Sequence, residues 1–274
     1  MIARVLDKHG VTCAPALRRI AVGDHETIVA EQGTSGPAVV LLHALGLDWR
    51  LWEPVTASLA DGRRVFAYDI RGHGSATGAS PDFTMADAAA DLFAVMDVLG
   101  LDRAHVVGLS YGAGIAQTAA VADPERFESL ALLATTDYPF DAFEARARSG
   151  EVDGMEAQIV PSLTRWFTPQ ALAVNAWGVR YARQCVLRGD PLHWVAAWRA
   201  FKGLDVQGRL EWFGKPALVL SGELDASTTP EILAAIAKRL QGSSYEVLPG
   251  VPHMQTLEAP ELVAEALERF LPAA

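Results

Sequence analysis

The segment Gly108-Leu-Ser-Tyr-Gly112 sets a hydroxyl between two glycines, with the apolar run His105–Leu109 before it and the small-residue run Gly112–Ala122 after it. A serine on a sharp strand-to-helix turn projects its hydroxyl above a sheet, and flanking glycines leave room for the strained backbone that this requires. Near neutral pH such a hydroxyl is a poor nucleophile unless a base takes its proton and an acid orients the base. On a strand–turn–helix of this kind the chain order is nucleophile, acid, base. His253, in Gly250-Val-Pro-His-Met254 before a final helical pattern, follows every candidate acid. The other histidines have other places. His25 and His193 fall away from the relevant sheet edge, and His105 begins a strand at the opposite end. His73, in Arg71-Gly-His-Gly74, shapes a turn, while His43 ends a strand at the correct edge and helps to build a loop there. Three carboxylates compete as the acid: Asp225 and Glu223, both in Ser221-Gly-Glu-Leu-Asp225, and Asp137 after the preceding strand. Asp225 is the best placed of the three. Attack on a carbonyl leaves charge on its oxygen, and backbone N–H groups must already point there. The expected donors are Tyr111, next to the serine, and Leu45 in His43-Ala-Leu-Gly46.

These residues need a frame. Ala38–Leu42, Arg64–Ile70, His105–Leu109, Ser129–Ala134, Pro216–Ser221 and Tyr245–Leu248 read as short strands, mostly apolar. Between them lie helical patterns over Asp48–Ala60, Thr84 to Gly100, Gly112–Ala122, Pro230–Leu240 and Pro260–Leu271. Thr84 and Asp87 have capping-box spacing, and Ala86, Ala89, Ala90, Phe93 and Met96 define the expected buried face of that helix. Alternation of this kind predicts a mostly parallel sheet flanked by helices, with ligands at the carboxyl ends of the strands. From about Asp137 to Asp205 the strands vanish, and Trp166, Trp177, Trp194 and Trp198 accumulate among arginines. The expected organisation is therefore a core of residues 1–136 and 206–274 with a helical cap over 137–205.

Half of the 274 residues are hydrophobic and a fifth are charged, enough apolar material for a buried sheet. The net charge of −10 argues against nucleic acid or an anionic membrane as partner. Cys13 and Cys185 form neither a disulfide framework nor a C-x-x-C pair. Residues 1–17 carry Arg4, Asp7 and Lys8 and lack a continuous apolar stretch, and no run approaches the length of a membrane span, so a cytoplasmic location is expected.

Val39-Val-Leu-Leu-His-Ala-Leu-Gly-Leu-Asp48, Tyr68-Asp-Ile-Arg-Gly-His-Gly74, Gly108–Gly112, Gly222-Glu-Leu-Asp225 and His253 occur in the order found in α/β-hydrolases, which the chain resembles. A narrower likeness is to 3-oxoadipate enol-lactonases and related serine esterases. It rests on His43–Gly46 with Asp48 and Trp52, on Arg165-Trp-Phe-Thr-Pro169, and on Thr228-Thr-Pro230; Tyr111 and Ala113 depart from it, standing where many members have methionine and glycine. The resemblance implies an α/β-hydrolase fold, a Ser110, Asp225 and His253 triad, and cleavage of an ester or lactone through an acyl-enzyme without metal or other cofactor. It implies a small-molecule partner and leaves oligomeric state open. An enol-lactone with a carboxylate tail wants a cation near the pocket. Arg165, Arg180, Arg183, Arg188, Arg199 and Lys202 are the candidates in the cap, and Trp52, Trp177, Trp194 and Trp198 could line an apolar pocket. A general carboxylesterase, a perhydrolase-like enzyme, a carbon–carbon bond hydrolase and a non-catalytic receptor are the alternatives. A dinucleotide-binding site is disfavoured, because the loop His43–Gly46 lacks G-x-G-x-x-G.

Overall fold

A computed structural model of the chain describes residues 14–273; Cys13 and all but the last four residues of the 1–17 segment lie outside the described residues. The strands and helices follow in the order β1 (Ala16–Val22), β2 (His25–Gln32), β3 (Ala38–Leu42), α1 (Glu53–Leu59), β4 (Arg64–Tyr68), α2 (Met85–Val98), β5 (Ala104–Leu109), α3 (Tyr111–Ala122) and β6 (Phe127–Leu133). A helical stretch comes next: α4 (Ala142–Ala157), α5 (Ile159–Trp166), α6 (Pro169–Ala173), α7 (Trp177–Arg188) and α8 (Pro191–Lys202). The α/β rhythm then resumes with β7 (Ala217–Gly222), α9 (Pro230–Arg239), β8 (Ser244–Leu248), α10 (Gln255–Glu258) and α11 (Pro260–Phe270).

The strands form one sheet of eight in the order β1-β2-β4-β3-β5-β6-β7-β8. All neighbours from β4 through to β8 run parallel, and β1 and β2 add an antiparallel margin. This is the mostly parallel, helix-flanked sheet that the alternating runs predict. Strands buried on both faces must be apolar throughout, because helices cover each side. Every residue of β3, β5 and β7 is buried, whereas β1 and β8 at the edges expose most of theirs. Among the described residues, no helix is long and apolar enough to cross a membrane.

Three local details differ from the sequence expectation. The hairpin β1–β2, which turns at Gly23-Asp24, has no counterpart among the expected strands. Gly-Asp between two alternating runs is a recognised hairpin signal, but here the charges of Arg18, Arg19 and Glu26 blur the alternation. The helical pattern Asp48–Ala60 divides into a short 3₁₀ turn, Trp49–Trp52, capped by the Asp48 carboxylate, and α1, which has Pro54 in its first turn. The buried face of α2 is Met85, Ala88, Ala89, Leu92, Val95 and Met96, so Ala86 and Ala90 are exposed and Phe93 is half-buried. Five alanines give little contrast between faces, and the branched Leu92 and Val95 decide the rotation. The capping box of Thr84 with Asp87 is formed.

The same face of α2 buries Asp91, whose oxygens accept from Arg71 Nε at 2.5 Å and Nη2 at 2.9 Å. A planar fork on a carboxylate is the geometry in which a buried pair is best satisfied. Arg71 also lies over the Phe83 ring, with its guanidinium carbon 5.3 Å from the centroid. Thus α2 fixes the turn after β4. Truncation of Asp91 to alanine leaves the guanidinium buried with only the half-exposed Asp24, at 3.5 Å, as a partial substitute. The expected loss is about 3 kcal/mol of unfolding free energy, read from urea denaturation; a change under about 0.5 kcal/mol means that the pair is not holding this turn.

Candidate active site

Between β5 and α3 the chain turns at Ser110 with φ 55° and ψ −113°, a conformation that costs a non-glycine residue on the order of 1–3 kcal/mol. The flanking glycines explain how the turn fits. A Cβ on Gly108 would lie 2.5 Å from the backbone nitrogen of Ala113, and one on Gly112 would lie 2.4 Å from the carbonyl oxygen of Leu42. The second approach draws the end of β3, and with it the loop His43–Gly46, against the start of α3. Three hydrogen bonds hold the strained residue: Ser110 N–H donates to the Leu133 carbonyl at 2.8 Å, and its own carbonyl accepts from Thr135 Oγ1 at 2.9 Å and Gly114 N–H at 3.0 Å.

The hydroxyl meets an imidazole. Ser110 Oγ is 3.1 Å from His253 Nε2, and His253 Nδ1 is 2.8 Å from Asp225 Oδ2. Facing a carboxylate, Nδ1 carries the proton, which leaves Nε2 to accept from the serine. Asp225 also accepts from the N–H groups of Ser227 at 2.8 Å and Thr228 at 3.0 Å, and from Thr228 Oγ1 at 2.7 Å. Burial works to raise its pKa, but His253 and Thr228 outweigh burial and hold the carboxyl below its ordinary value. The two other carboxylates are occupied elsewhere. Asp137 accepts from Arg239 Nη2 at 2.6 Å and Nε at 2.9 Å, and Glu223 accepts from Gly250 N–H at 2.7 Å.

Leu45 lines the space above Ser110 and Tyr111 follows the serine in the chain, and among the described residues neither backbone N–H has an acceptor. His43 shapes the loop that carries Leu45. Ile70 N–H donates to its Nε2 at 2.9 Å, so Nδ1 holds the proton and donates to the Ala44 carbonyl, also at 2.9 Å. Burial pushes its pKa down to about 4, and the ring stays neutral. His73 packs edge-on against His43 at 5.3 Å, and burial first, then the neighbouring His43, pushes it down to about 3. His105 bonds to Ser129 at 2.7 Å between β5 and β6, and His193 to the Ala79 carbonyl at 2.8 Å.

Helices α4, α5 and α8 close over this edge. The space above Ser110 is narrow, about 20 Å³, and is lined by Leu45, Phe140, Phe143, Arg146, Arg165, Trp166, Trp198, Phe201 and Met254 with the serine and histidine. A volume of that size holds about one water. The half-buried Phe140, Arg146 and Arg165 form its outer border. Of the aromatic and cationic candidates in the sequence, Trp198 and Arg165 line this space. Trp52 is fully buried, Trp177 stacks on Tyr181 with centroids 5.5 Å apart, and Trp194 packs beside Gly46 and lines a neighbouring cavity with Arg188. Arg199 and Lys202 pair with Glu144, and Arg180 and Arg183 bond to Asn175. Sequence reasoning missed Arg146, Phe140, Phe143 and Phe201. The helical spacing of Phe143 with Arg146 was available, but only a contact across α4 and α8 shows which side faces the serine.

Comparison with known proteins bears on the fold. Residues 37–162 match the family model described as the alpha/beta hydrolase fold. The chain is 27% identical to 3-oxoadipate enol-lactonase 1 of Acinetobacter baylyi, over 86% of this chain and 89% of that one. The enol-lactonase of Burkholderia xenovorans superposes with a TM-score of 0.88 at 27% identity, covering 92% of this chain and 99% of its own. A thermophilic esterase from Thermogutta terrifontis, solved with malate bound, superposes at 0.86 with 26% identity, covering 93% and 97%.

The buried neutral histidines set a dependence of stability on pH. An unfolded histidine binds its proton near pH 6.5, whereas folded His73 refuses it until about 3. The unfolded state therefore holds more protons between these values, and stability falls as pH drops through that window. The variant His73→Gln should flatten the slope of unfolding free energy against pH by up to about 1.4 kcal/mol per unit below pH 6. Urea denaturation at stepped pH reads this directly; parallel slopes for the two proteins would contradict a buried neutral imidazole.

Proposed function

Taking as its premise that the chain is an alpha/beta hydrolase by fold, we propose that it cleaves a carboxylic ester or lactone with Ser110 as nucleophile, His253 as general base and Asp225 as the orienting acid. The observation that carries this reading is the unbroken relay from Ser110 Oγ to His253 Nε2 at 3.1 Å and from Nδ1 to Asp225 at 2.8 Å. In the first step Oγ attacks the carbonyl carbon while Nε2 takes its proton. The unpaired N–H groups of Leu45 and Tyr111 receive the negative oxygen, where preorganised donors act without reorganising. Collapse of the intermediate breaks the bond to the alkoxy oxygen, which leaves with the proton from Nε2 and yields an acyl-serine. Water then attacks the acyl carbon, gives a proton to Nε2, and the acid is released as the serine regains that proton. In a lactone the alcohol stays tethered to the acyl group throughout, and the second step releases a single ring-opened acid.

Residues 137–205 would act as a cap that selects the substrate, with Arg165 and Trp198 as its contacts to it. The enol-lactonases among the relatives make opening of an enol-lactone the first reaction to assay. The narrow space above Ser110 means that a substrate enters as the cap side chains yield.

A fluorophosphonate probe should label the protein on Ser110 and fail to label Ser110→Ala; folded wild-type protein that stays unlabelled argues for a non-catalytic receptor. By analogy with other triads, Asp225→Asn should lower kcat by roughly 10⁴-fold, because the imidazole then settles in the wrong tautomer. Asp137→Asn should change kcat by less than about tenfold, since its partner is Arg239. Steady-state kinetics on the enol-lactone or on a p-nitrophenyl ester distinguish the two variants, and the reverse ranking would move the acid to Asp137.

A further inference from the structure

Two donors share one oxygen of Asp225. Its Oδ2 accepts from His253 Nδ1 at 2.8 Å and from Thr228 Oγ1 at 2.7 Å, while Oδ1 accepts the N–H groups of Ser227 at 2.8 Å and Thr228 at 3.0 Å. Among the described residues Thr228 alone is bonded to both oxygens, through its backbone to Oδ1 and through its hydroxyl to Oδ2. The hydroxyl also stands 3.4 Å from His253 Nδ1. It has a single proton, and it gives that proton to the carboxylate, which is the nearer acceptor. Asp225, Thr228 and His253 are all buried, and a hydrogen bond is stronger in such surroundings than in water. Thr229 and Pro230 begin α9 immediately afterwards, so a helix start fixes the backbone from which the hydroxyl projects. A β-branched side chain has little rotamer freedom to lose there.

A second donor on Oδ2 acts on the imidazole in two ways. By gripping both oxygens Thr228 fixes the plane of the carboxylate, and with it the line along which Nδ1 is held. The hydroxyl also stabilises negative charge on the oxygen that the imidazole faces. We propose that Thr228 is a positioning residue of the Ser110–His253–Asp225 relay, whose hydroxyl orients the carboxylate and tempers its hold on a protonated His253. This deepens the hydrolase reading and rests on it for the reaction that the relay performs. Without the hydroxyl, Oδ2 has the imidazole as its one partner and holds the imidazolium more firmly. The histidine then stays protonated, and unable to act as a base, up to a higher pH. The other charged groups near His253 are Arg146 of α4 and Arg165 of α5, which line the same space above Ser110. Glu258 of α10 is bonded to Thr168, and Glu223 to Gly250. None of these four is altered when Thr228 is replaced.

Thr228→Val keeps the shape of the side chain and the backbone bond to Oδ1, and removes the hydroxyl. On a p-nitrophenyl ester, the acid limb of its kcat/KM profile should lie at higher pH than that of wild type by about half to one unit, as for one hydrogen bond to the carboxylate. On the plateau kcat should fall about tenfold, with KM within about threefold of wild type. Thr228→Ser, which restores a hydroxyl, should return the limb to its wild-type position and recover most of kcat. Thermal melts establish that each variant is folded, and Thr228→Ala carries the same expectation should the valine variant fail to fold. Loss of packing alone lowers the rate without moving the limb. A limb that stays in place in the variant lacking the hydroxyl, or a loss that Thr228→Ser does not reverse, therefore overturns the proposal. NMR on isotope-labelled histidine, with the signal assigned by its loss in His253→Gln, follows the same protonation without turnover. Its midpoint should rise by the same half to one unit when the hydroxyl is removed, and equal midpoints overturn the proposal. Should wild-type protein cleave no ester and take no fluorophosphonate label while this midpoint still rises, the hydrolase reading fails and the action of Thr228 on the imidazole stands.

Discussion

An imidazole must stand between a hydroxyl and a carboxylate with both contacts at hydrogen-bond length, and the rest of this molecule can be understood as the means of holding it there. The residues concerned, Ser110, Asp225 and His253, follow β5, β7 and β8. Only a parallel sheet brings the carboxyl ends of three such strands to one edge, and parallel strands require helical crossovers that bury both faces. The apolar character of β3, β5, β6 and β7 is therefore a precondition of the chemistry as well as of stability. The strained backbone of Ser110 is tolerated because its own N–H and carbonyl are held by Leu133, Thr135 and Gly114. Strain at one residue is small against a core of this size, and it aims the hydroxyl.

The helices over the site are tied to the same elements. Met254 N–H, next to the histidine, donates to the Trp166 carbonyl at 3.0 Å, and Thr168 of the next turn bonds through N–H and hydroxyl to Glu258 in α10. On the other side the Asp48 carboxylate, at the end of the loop that carries Leu45, accepts from Tyr181 of α7 at 2.9 Å and from Arg50. Val206 N–H donates to the Asp137 carbonyl at 3.2 Å, so the helical stretch leaves and rejoins the sheet at adjacent points. A shift of the overlying helices is thus felt at His253 and at the loop that carries Leu45. The overlying helices and the Ser110–His253–Asp225 cluster are therefore linked through these hydrogen-bonded bridges rather than through the sheet.

Much of this was legible in the sequence, for reasons that differ by element. The glycines at 108 and 112 announce the turn because their Cβ positions are filled by backbone, a constraint that nothing but glycine satisfies. Strands buried on both faces show as short apolar runs. A helix cap shows as Thr84 with Asp87. The β1–β2 hairpin did not show, since an antiparallel margin with one wet face needs only two or three apolar residues per strand. Nor did the lining of the site. Trp177 and Trp198 look alike in sequence, yet one stacks on Tyr181 and the other lies under Arg146, and the difference is decided by how α4 and α8 cross. Arg146 was invisible for the same reason.

Asp137 and Asp225 hold similar positions and differ in their packing. Both follow strands of the same edge, and both are nearly fully buried. Asp137 faces α9, where Arg239 neutralises it with two bonds to one oxygen. Asp225 has no arginine. One of its oxygens takes the N–H groups of Ser227 and Thr228, and the other takes the Thr228 hydroxyl and the imidazole. A carboxylate can accept about four hydrogen bonds, and here every one is used, three by a rigid local turn and the fourth by the histidine. The charge is held in place by neighbours that cannot themselves become cations, so the one group able to carry a compensating positive charge is the imidazole. That is the arrangement in which taking a proton from Ser110 is favoured, and an arginine in place of Thr228 would have cancelled it.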